Sequence, residues 1–444
     1  MINALTTDLY QLTMAAGYWR AGLTEPATFE LFVRRLPPRR AFLVAAGLDE
    51  ALAFLEAVRF TDEERTWLRG LPQFAHVPAG FFDDYLRRFS FTGSAAAIPE
   101  GTPVFPGEPI LRVTAPLPEA QLVETALLAT LSFATNVASK AARVVQAAAG
   151  RPVIEFGARR AHGVGASIAA ARAAYLGGCA GTSLVEAGRR YGIPTAGTMA
   201  HSWVQTFADE VEAFREFSRT FPDSAAYLLD TYDTLAATEK LAASGLTPAI
   251  VRLDSGEVIS LSREVRARLD AAGLTSTRIF ATGDLDEYRI ATIVSAGAPI
   301  DGFGVGTALS TVSDAPALSA VYKLVEVHRR GEAAGVVKSS PGKHTWPCAK
   351  QVWRRLVDGR PVGDVIAGVD EAPPPDSVPL LHPVMEHGRR LAAPPALADV
   401  RESSRLAVAA LPDRLRALDA PADYPVSITE PLEAARRKAS RYDR

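Results

Sequence analysis

The sequence is poor in cysteine, in unbalanced charge and in long apolar runs, and each shortage excludes a class of protein. Its 444 residues include only two cysteines, Cys179 and Cys348, which lie far apart and match no CxxC pattern. This pattern excludes a disulfide framework and argues against a structural zinc site. Lys plus Arg number 48 and Asp plus Glu 50, a net charge of -2, so the overall field predicts no nucleic-acid partner and no anionic membrane surface.

Uninterrupted apolar stretches are also short. The segment 125–139 has no charged residue, but it falls short of the roughly 20 residues that a membrane helix needs, and it contains Ser, Thr and Asn. No membrane span is therefore predicted. Apolar side chains make up 48% of the chain and charged ones 22%, which suffices for a large core. We expect a cytoplasmic globular enzyme of about two or three domains.

The distribution of apolar periodicity, Gly and Pro predicts three regions. Residues 1–118 mix helical patterns with short β runs, which is typical of an α+β domain carrying a small β module. Residues 119–355 open with a long helical pattern and continue as short apolar runs that alternate with helical stretches, which indicates βα units and a parallel sheet. Residues 356–444 hold a proline cluster and two helical patches, and we expect them to pack on the first domain and complete it.

Seven short apolar runs are candidate strands of the parallel sheet. They are 152–156, 193–196, 227–230, 249–254, 278–282, 300–306 and 319–327. So many strands in one region favour an irregular or incomplete βα barrel, similar to a TIM barrel, over an open sheet. The carboxyl ends of barrel strands converge on one face, where such folds carry out their chemistry.

The residues at or just after the carboxyl ends of these runs are mainly basic, acidic or glycine. They include Phe156, Arg159, His201, Asp230, Arg252, Asp254, Ser255, Gly283, Asp284, Gly304 and Gly306. Arginines suit bidentate anion contacts, glycines let backbone N–H groups approach phosphates, and acids suit a ribose diol or Mg²⁺. The combination predicts a sugar phosphate or a nucleotide as ligand.

Each residue taken alone also has a simpler explanation. An Asp after a strand is often a helix N-cap, and an Arg there is usually solvated. His201 lies within GIPTAGTMAHSWVQTF (192–207), between a short extended run and a helix-like segment that begins near Ser202. Such a histidine can be a partly buried turn residue, or it can present a ring nitrogen beside N–H groups that bind an anion. Its neighbours at the other strand ends favour the second interpretation.

Eight motifs together resemble nicotinate phosphoribosyltransferases. They are TDLYQLTM (7–14), EFGARRAHG (155–163), GTSLVEA (181–187), GTMAHSW (197–203), VRLDSG (251–256), ATGDLDE (281–287), GFGVGT (302–307) and KQVWR (350–354), in the family's order. The resemblance implies that nicotinate and phosphoribosyl pyrophosphate form nicotinate mononucleotide and pyrophosphate in NAD salvage. It also implies Mg²⁺ and coupling to ATP hydrolysis through a phosphohistidine.

The resemblance assigns roles to individual residues. His201 matches the histidine that accepts the phosphate of ATP, and Asp230 is the candidate for the acid that orients it. Phe156 is expected to stack on the pyridine ring, while Tyr10 of the partner subunit covers the other side in a homodimer with shared active sites. Ser183 stands where nicotinamide phosphoribosyltransferase has an acid, and a neutral side chain there favours the carboxylate of nicotinate.

The remaining assignments concern anions and ribose. Arg159 and Arg252 hold the phosphate and the nicotinate carboxylate, in an order that the motifs leave open. Asp254 serves the ribose hydroxyls or the metal, and Ser255 is expected to bind substrate. The expected 5′-phosphate site consists of Gly283, Asp284, Gly304 and Gly306. The chain has no cysteine-rich tail, so no metal ligands are assigned.

Several positions and functions stay open at this level. His162 and Trp203 are expected to be packing residues, although both lie within motifs. The lysines of the segment 338–350 either contact nucleotide phosphates or are solvated; they are Lys338, Lys343 and Lys350. The alternative functions are a quinolinate or nicotinamide phosphoribosyltransferase and a non-catalytic ligand-binding paralogue.

Overall fold

The computed structural model describes residues 3–338, 345–419 and 422–440, and the chain divides into two compact units. The first unit comprises 1–136 with 317–444, and the second comprises 137–316. These divisions differ from the boundaries expected after residues 118 and 355. The division at 136 falls inside a long helix that the sequence pattern had assigned entirely to the middle domain.

The N-terminal segment alternates helices with short strands. Its elements are α1 (Leu9–Arg20), β1 (Pro26–Val33), β2 (Leu43–Val44), α2 (Leu48–Ala57), α3 (Asp62–Arg69), β3 (Ser94–Ala97), β4 (Pro103–Val104), β5 (Pro109–Pro116), α4 (Leu117–Leu122) and α5 (Glu124–Ala147), with a 3-10 turn at Pro72–Phe74 and a π-helical segment at Phe81–Leu86. Local chemistry explains the start of α3, since Thr61 and Glu64 form a reciprocal capping box that satisfies two free N–H groups.

The second unit alternates short strands with helices, as the βα pattern predicts. Its elements are β6 (Val153–Glu155), α6 (Val164–Leu176), β7 (Gly181–Thr182), α7 (Val185–Tyr191), α8 (His201–Gln205), α9 (Glu210–Thr220), β8 (Ala226–Leu228), α10 (Thr234–Ala243), β9 (Ile250–Leu253), α11 (Val258–Ala271), β10 (Arg278–Ala281), α12 (Glu287–Ser295), β11 (Gly302–Val305) and α13 (Thr307–Ser310), with a 3-10 turn at Ala158–Arg160.

The C-terminal segment is mainly β structure followed by helices. Its elements are β12 (Ala320–Arg329), β13 (Glu332–Gly335), β14 (Lys350–Val357), β15 (Arg360–Gly368), β16 (Ser377–Pro379), β17 (His382–Glu386), β18 (Arg389–Arg390), α14 (Leu397–Ala410), α15 (Asp413–Arg416), β19 (Val426–Ile428) and α16 (Glu430–Ala439). Within the described part of the chain, no helix combines the length and the apolar character needed to cross a bilayer.

The first unit is built on an antiparallel sheet that joins both ends of the chain. Its strand order is β13-β12-β1-β5-β3-β17-β18, and a second sheet has the order β16-β14-β15-β19. Phe29 on β1 stacks on Tyr322 on β12, with ring centroids 4.9 Å apart, at the centre of a continuous apolar core. The expectation that the C-terminal segment completes an N-terminal α+β domain is therefore confirmed.

The second unit contains a parallel sheet that curls into an incomplete barrel, as the sequence predicts. Its strand order is β7-β6-β11-β10-β9-β8. β6, β8 and β11 are buried along their whole length, which explains why they read as continuous apolar runs rather than alternating ones.

Two of the seven predicted strands do not belong to the parallel sheet. The run 193–196 makes only a single bridge, between Thr195 and Thr182, because Pro194 has no N–H for a ladder. The neighbouring strand is β7, which is too short to give a periodic signal. The run 319–327 forms β12, which pairs antiparallel with β1 in the first unit instead of extending the parallel sheet.

Candidate active site

The parallel register aligns the carboxyl ends of five neighbouring strands. Val305 pairs with Glu155, Ala281 pairs with both Phe303 and Leu253, and β9 pairs with β8 in the same direction. The segments that follow these strands therefore begin at one edge of the sheet. The predicted site residues of the second unit lie in the last turns of these strands, on the segments that follow them, and on those that follow β7.

Arg252 is the most firmly held cation of this edge. Its Nε donates to Thr282 Oγ1 at 2.8 Å, Nη1 to Thr198 Oγ1 at 2.9 Å, and Nη2 to Asp254 Oδ1 at 2.6 Å. Its side chain is 14% exposed, and its Cζ lies 6.0 Å from the centroid of the Phe156 ring. The guanidinium is thus fixed beside an aromatic face, with its planar fork available for a planar anion.

Asp254 links this arginine to His201. Burial opposes ionisation of Asp254, but hydrogen bonds from Thr282 and Arg252 and the proximity of His201 outweigh it and lower the carboxyl pKa. The hydroxyl of Thr282 donates to the same oxygen, Oδ1, that Arg252 binds. The other oxygen, Oδ2, lies 3.9 Å from Nε2 of His201. Asp254 is therefore an anion at neutral pH with one oxygen directed toward the histidine.

His201 is the first residue of α8, and its side chain is 42% exposed. Nδ1 lies 3.1 Å from the hydroxyl of Thr231. This hydrogen bond orients the ring, while the exposed part of the imidazole remains available to a reactant. A histidine held in this way can act as a nucleophile toward phosphorus.

The expected pairing of His201 with Asp230 is wrong. Asp230 Oδ2 instead accepts the hydroxyl of Ser255 at 2.5 Å and the backbone N–H of Asp254 at 3.2 Å. Asp230 therefore organises the turn after β9, and its neighbour Thr231 contacts the histidine. The sequence did place Asp230 and Ser255 at the same edge.

Asp230 also has an unused oxygen. Its Oδ1 is buried and has no hydrogen-bond partner among the described residues. Within ranges 3–338, 345–419 and 422–440, no group of three or more His, Cys, Asp and Glu is arranged to hold a metal ion. Mg²⁺ that arrives with substrate phosphates needs only one or two carboxylates. Asp230 and Asp254 therefore fit such an ion, whose charge would satisfy the unpaired oxygen.

At two positions neighbouring atoms lie too close to the backbone for any residue but glycine. A Cβ on Gly304 would lie 2.5 Å from ring carbons of Phe156 and 2.6 Å from Cγ2 of Thr282. Gly283 has φ +85°, and a Cβ there would lie 1.8 Å from the carbonyl oxygen of Asp254. These glycines let β10 and β11 end directly against the aromatic ring and the Asp254 turn.

The turn that carries Arg159 is organised by a buried acid. Glu155 accepts hydrogen bonds from the N–H of Gly157 and, at 2.6 Å, from the hydroxyl of Thr182. Burial raises the pKa of Glu155, and these two hydrogen bonds offset part of that rise. Ser183 donates its N–H to the carbonyl of Glu155 at 2.9 Å. Arg159 and Ser183 are both exposed.

The N-cap alternative holds for some acids and not for others. Asp233 caps α10 through Ala236 N–H, and Asp286 caps α12 through two N–H groups. Asp284 is exposed with φ +46°, beside Gly283. Asp230 and Asp254, in contrast, use their side chains within the cluster at the sheet edge.

The structure also identifies three threonines that were not assigned roles from the motifs. Thr198, Thr231 and Thr282 supply the hydroxyls that hold Arg252, His201 and Asp254. Thr198 and Thr282 lie within motifs, whereas Thr231 directly follows Asp230 outside them. Thr231 and Thr282 each follow a parallel strand. A search for hydroxyl residues at strand ends, and not only for charged ones, would have found these two.

The two packing expectations differ in outcome. Trp203 donates its indole N–H to the carbonyl of Ala213 at 3.0 Å, and its ring lies 5.0 Å from Phe207 and 5.8 Å from Phe217. Its packing role is confirmed. His162 is exposed, so the packing role expected for it is wrong.

Lys350, the last lysine of the segment 338–350, does not form a phosphate site. Lys350 Nζ lies 2.8 Å from Glu30 Oε2 and donates to the carbonyls of Trp346 and Cys348. It is buried, so both interpretations, phosphate contact and solvation, are wrong for Lys350. Lys338 is exposed, and Lys343 lies outside the described residues.

The fold and the site together define an enzyme that binds phosphorylated ligands at the carboxyl edge of a curled parallel sheet. Comparison with known families agrees with this class. The N-terminal domain model of nicotinate phosphoribosyltransferase matches residues 5–132, the C-terminal domain model of quinolinate phosphoribosyl transferase matches 137–315, and the C-terminal domain model of nicotinate phosphoribosyltransferase matches 376–436. The chain belongs to the nicotinate phosphoribosyltransferase family.

Individual relatives support this assignment over nearly the whole chain. The chain is 47% identical over 440 residues to a nicotinate phosphoribosyltransferase of Mycobacterium tuberculosis, covering 97% of this chain and 92% of the relative. It is 39% identical to the nicotinate phosphoribosyltransferase of Bacillus subtilis, covering 96% and 93%. The crystal structure of human nicotinic acid phosphoribosyltransferase superimposes with a TM-score of 0.83 at 31% identity, covering 97% and 99%. The family predicted from the motifs is confirmed.

Proposed function

We propose that this enzyme transfers the phosphoribosyl group of phosphoribosyl pyrophosphate to the ring nitrogen of nicotinate and couples the transfer to ATP hydrolysis through phosphorylated His201. The observation that carries the proposal is Arg252, held by three side chains beside the face of Phe156 and joined through Asp254 to His201. One cluster thus combines a site for an aromatic carboxylate with a candidate phosphate acceptor.

Arg252 is suited to the carboxylate and Arg159 to the phosphates. A guanidinium has five N–H groups. Three of those on Arg252 are engaged by Thr282, Thr198 and Asp254, which leaves one on each terminal nitrogen. Two such groups can bind one carboxylate in bidentate fashion. Arg159 is exposed on its turn, where a mobile cation can follow the pyrophosphate as it leaves.

The transfer itself requires alignment more than covalent chemistry. The C1–oxygen bond to pyrophosphate breaks with its electron pair, and the nicotinate nitrogen supplies the pair for the new C1–nitrogen bond. Phe156 would stack on the pyridine ring and Asp254 would hold the ribose hydroxyls, so that both reactants are aligned. Backbone N–H groups near Gly283 and Gly304 would take the 5′-phosphate, together with Asp284 and Gly306. When bound, Mg²⁺ would neutralise charge on the leaving pyrophosphate.

The energy coupling uses His201. An imidazole nitrogen would attack the γ-phosphorus of ATP, the bond to ADP would break, and water would later hydrolyse the phosphohistidine. Thr231 and Asp254 orient the ring for this step. Ser183 is neutral and exposed, so a pyridine carboxylate meets no repelling acid there.

The decisive experiment combines labelling with turnover. Wild-type protein incubated with γ-labelled ATP should acquire acid-labile phosphate, and His201→Ala should not. The same preparations should form product from phosphoribosyl pyrophosphate and nicotinate far faster than from nicotinamide or quinolinate. Preferential use of quinolinate or nicotinamide would contradict the substrate assignment. Absence of label on an active wild-type enzyme would contradict the ATP coupling alone, and absence of all turnover would favour a ligand-binding paralogue.

The homodimer with shared sites is supported by the surface of α1. Tyr10 is 49% exposed and Leu9 41%, although both are large and apolar. Partial burial and the nearby carboxylates of Glu124 and Asp8 raise the pKa of Tyr10 to about 12. Its phenol therefore stays neutral against a pyridine ring. Homodimers of the Tyr10→Ala variant and homodimers of the Arg252→Gln variant should each have reduced transferase activity. Mixed dimers should regain activity if one subunit's tyrosine completes the other's site, and no recovery would contradict sharing.

The cytoplasmic location stays a prediction from composition.

A further inference from the structure

Two cationic side chains of α5 are buried within the second unit, where the proposed reaction does not use them. Lys140 and Arg143 lie three positions apart, so they share one face of the helix. Both are buried, and the side chain of Lys140 is only 2% exposed. Lysine and arginine are almost never fully buried unless they are paired. The partners of these two side chains therefore show what this face of α5 holds in place.

Both cations bind the carboxylate of Glu287, which is fully buried. Lys140 Nζ lies 2.6 Å from Oε2, and Arg143 Nε donates to Oε1 at 3.0 Å. Arg143 Nη2 also lies 3.1 Å from the hydroxyl oxygen of Tyr288, to which it donates. Glu287 and Tyr288 are the first two residues of α12, which directly follows the turn that contains Gly283. The far end of that turn is consequently anchored to α5.

Lys140 has a second partner on a different segment. Its Nζ donates to Asp314 Oδ1 at 2.9 Å. Asp314 lies on the segment that begins with Gly306 at the end of β11 and continues through α13. Its side chain is 36% exposed, so this contact lies at the margin of the buried cluster. One ammonium group thereby joins the segments that follow two neighbouring strands, β10 and β11.

These two segments are the ones that would share the 5′-phosphate, since one carries Gly283 and the other begins beside Gly304. The strands β10 and β11 pair through two positions, up to Ala281 and Phe303. The turns therefore begin where this pairing ends. A phosphate that accepts N–H groups from both turns requires them to keep a fixed spacing. The contacts of Lys140 with Glu287 and Asp314 supply a link that can fix this spacing.

We propose that Lys140 is a positioning residue for the 5′-phosphate of the phosphoribosyl donor. By binding Glu287 and Asp314 together, it fixes the turn after β10 relative to the segment after β11. This inference rests on the proposed assignment of the 5′-phosphate to these turns. The ammonium group is buried and acts through the two carboxylates, so it does not itself contact the substrate.

The test compares Lys140→Met, Asp314→Ala and Asp270→Ala. Methionine keeps the length of the side chain and removes its charge, whereas Asp314→Ala removes only the contact with the second segment. Asp270 is the matched control, because it is also a partly exposed acid of the second unit and pairs with Arg266 at 2.7 Å. It lies near the end of α11, where the chain returns to the amino end of β10.

Calorimetry gives the dissociation constants of three probes in the presence of Mg²⁺ and without nicotinate or ATP. The probes are phosphoribosyl pyrophosphate, ribose 5-phosphate and pyrophosphate, and the last two each represent one end of the first. No transfer occurs under these conditions, so the result does not depend on turnover. A dissociation constant does not depend on the fraction of folded protein, so a partly unfolded preparation of Lys140→Met still gives an answer.

We expect Lys140→Met and Asp314→Ala to raise the dissociation constants of phosphoribosyl pyrophosphate and ribose 5-phosphate about three- to tenfold, as changes at residues that act through others do. The dissociation constant of pyrophosphate should change little, and Asp270→Ala should resemble the wild type. Unchanged ribose 5-phosphate binding in Asp314→Ala overturns the inference. So does an equal loss of affinity for ribose 5-phosphate and pyrophosphate, because that result indicates a general structural role.

Gly283→Ala separates this inference from the proposed function. If Gly283→Ala weakens ribose 5-phosphate binding and Asp314→Ala does not, the 5′-phosphate assignment stands and the role of Lys140 is overturned. If Gly283→Ala leaves this binding unchanged, or if the wild type does not bind ribose 5-phosphate, the proposed 5′-phosphate site is wrong and the inference falls with it.

Discussion

Nδ1 of His201 lies 3.1 Å from the hydroxyl oxygen of Thr231, the residue next to the acid expected to orient the ring. A hydroxyl can accept from a protonated nitrogen or donate to an unprotonated one. It therefore fixes the ring with either nitrogen carrying the proton. Asp254 lies 3.9 Å away, beyond hydrogen-bond distance, so it acts on His201 through its charge.

The first prediction concerns this hydroxyl. Thr231→Val should slow transfer of phosphate from ATP to His201 by about three- to tenfold, which corresponds to the loss of one neutral hydrogen bond. Thr231→Ser keeps the hydroxyl and should retain most of the rate. The initial rate of acid-labile labelling by γ-labelled ATP measures the effect. Equal rates in valine and wild-type proteins would show that the ring is oriented by other contacts.

The second prediction concerns pH and Asp254. Its pKa is lowered in the folded protein, so the ionised side chain contributes stability that is fully present above the unfolded value of about 3.9. That contribution is lost as the pH falls through the lower folded pKa. Asp254→Asn should therefore be less stable than the wild type by about 1–2 kcal/mol at neutral pH, as expected for weakened charged hydrogen bonds.

Urea denaturation at a series of pH values checks this prediction. The difference in unfolding free energy between wild type and Asp254→Asn should be constant from about pH 5 to 8 and should shrink below about pH 4. Glu332→Gln, on an exposed part of β13, is the control and should show no such difference. If the difference in unfolding free energy between the two proteins grew as the pH fell, the lowered pKa of Asp254 would be contradicted.

The sequence predicted the site better than it predicted the contacts within the site. Parallel strands bring their carboxyl ends to one edge, so residues at the ends of different strands, such as Phe156 at β6 and Arg252 at β9, could be grouped without knowing any distance. Spacing does not determine which of two consecutive polar residues faces a given neighbour. Asp230 and Thr231 follow the same strand, yet one bonds Ser255 and the other His201.

The errors in the fold have similar causes. The strand at Gly181–Thr182 has two residues, which is too short for any periodic signal. The run that became β12 has the apolar content of a barrel strand, and its antiparallel partner β1 lies almost 300 positions earlier. Long-range pairing of this kind is decided by the whole first unit and not by local pattern.

The third prediction uses the glycine after β10. Gly283→Ala places a methyl group 1.8 Å from the carbonyl of Asp254 at a φ of +85°, so the turn must rearrange. We expect a loss of at least about 2 kcal/mol in unfolding free energy, which is typical of backbone strain combined with a steric clash. The KM for phosphoribosyl pyrophosphate should also rise if this turn holds the 5′-phosphate.

Gly165→Ala is the matched control for this variant. Gly165 lies in α6 of the same unit, and a Cβ there meets no atom within 4 Å. Alanine is the better helix former, so the unfolding midpoint should stay the same or rise. Equal midpoints for the two alanine variants would show that the turn after β10 tolerates a side chain.

The fourth prediction distinguishes a structural lysine from a ligand-binding one. Lys350→Ala leaves Glu30, which is fully buried, without its ammonium partner. The backbone N–H of residue 350 still donates to Glu30 Oε1 at 2.9 Å, so we expect a loss of about 3 kcal/mol, the low end for breaking a buried ion pair. Replacing both partners, as Glu30→Gln with Lys350→Met, should recover much of this loss.

Lys338→Ala, at an exposed position, is the control and should leave the unfolding midpoint unchanged. Urea denaturation measures all four proteins, and the KM values for nicotinate and ATP of the folded enzymes should match the wild type. A Lys350→Ala enzyme of normal stability with a raised KM for ATP would restore the phosphate-contact interpretation.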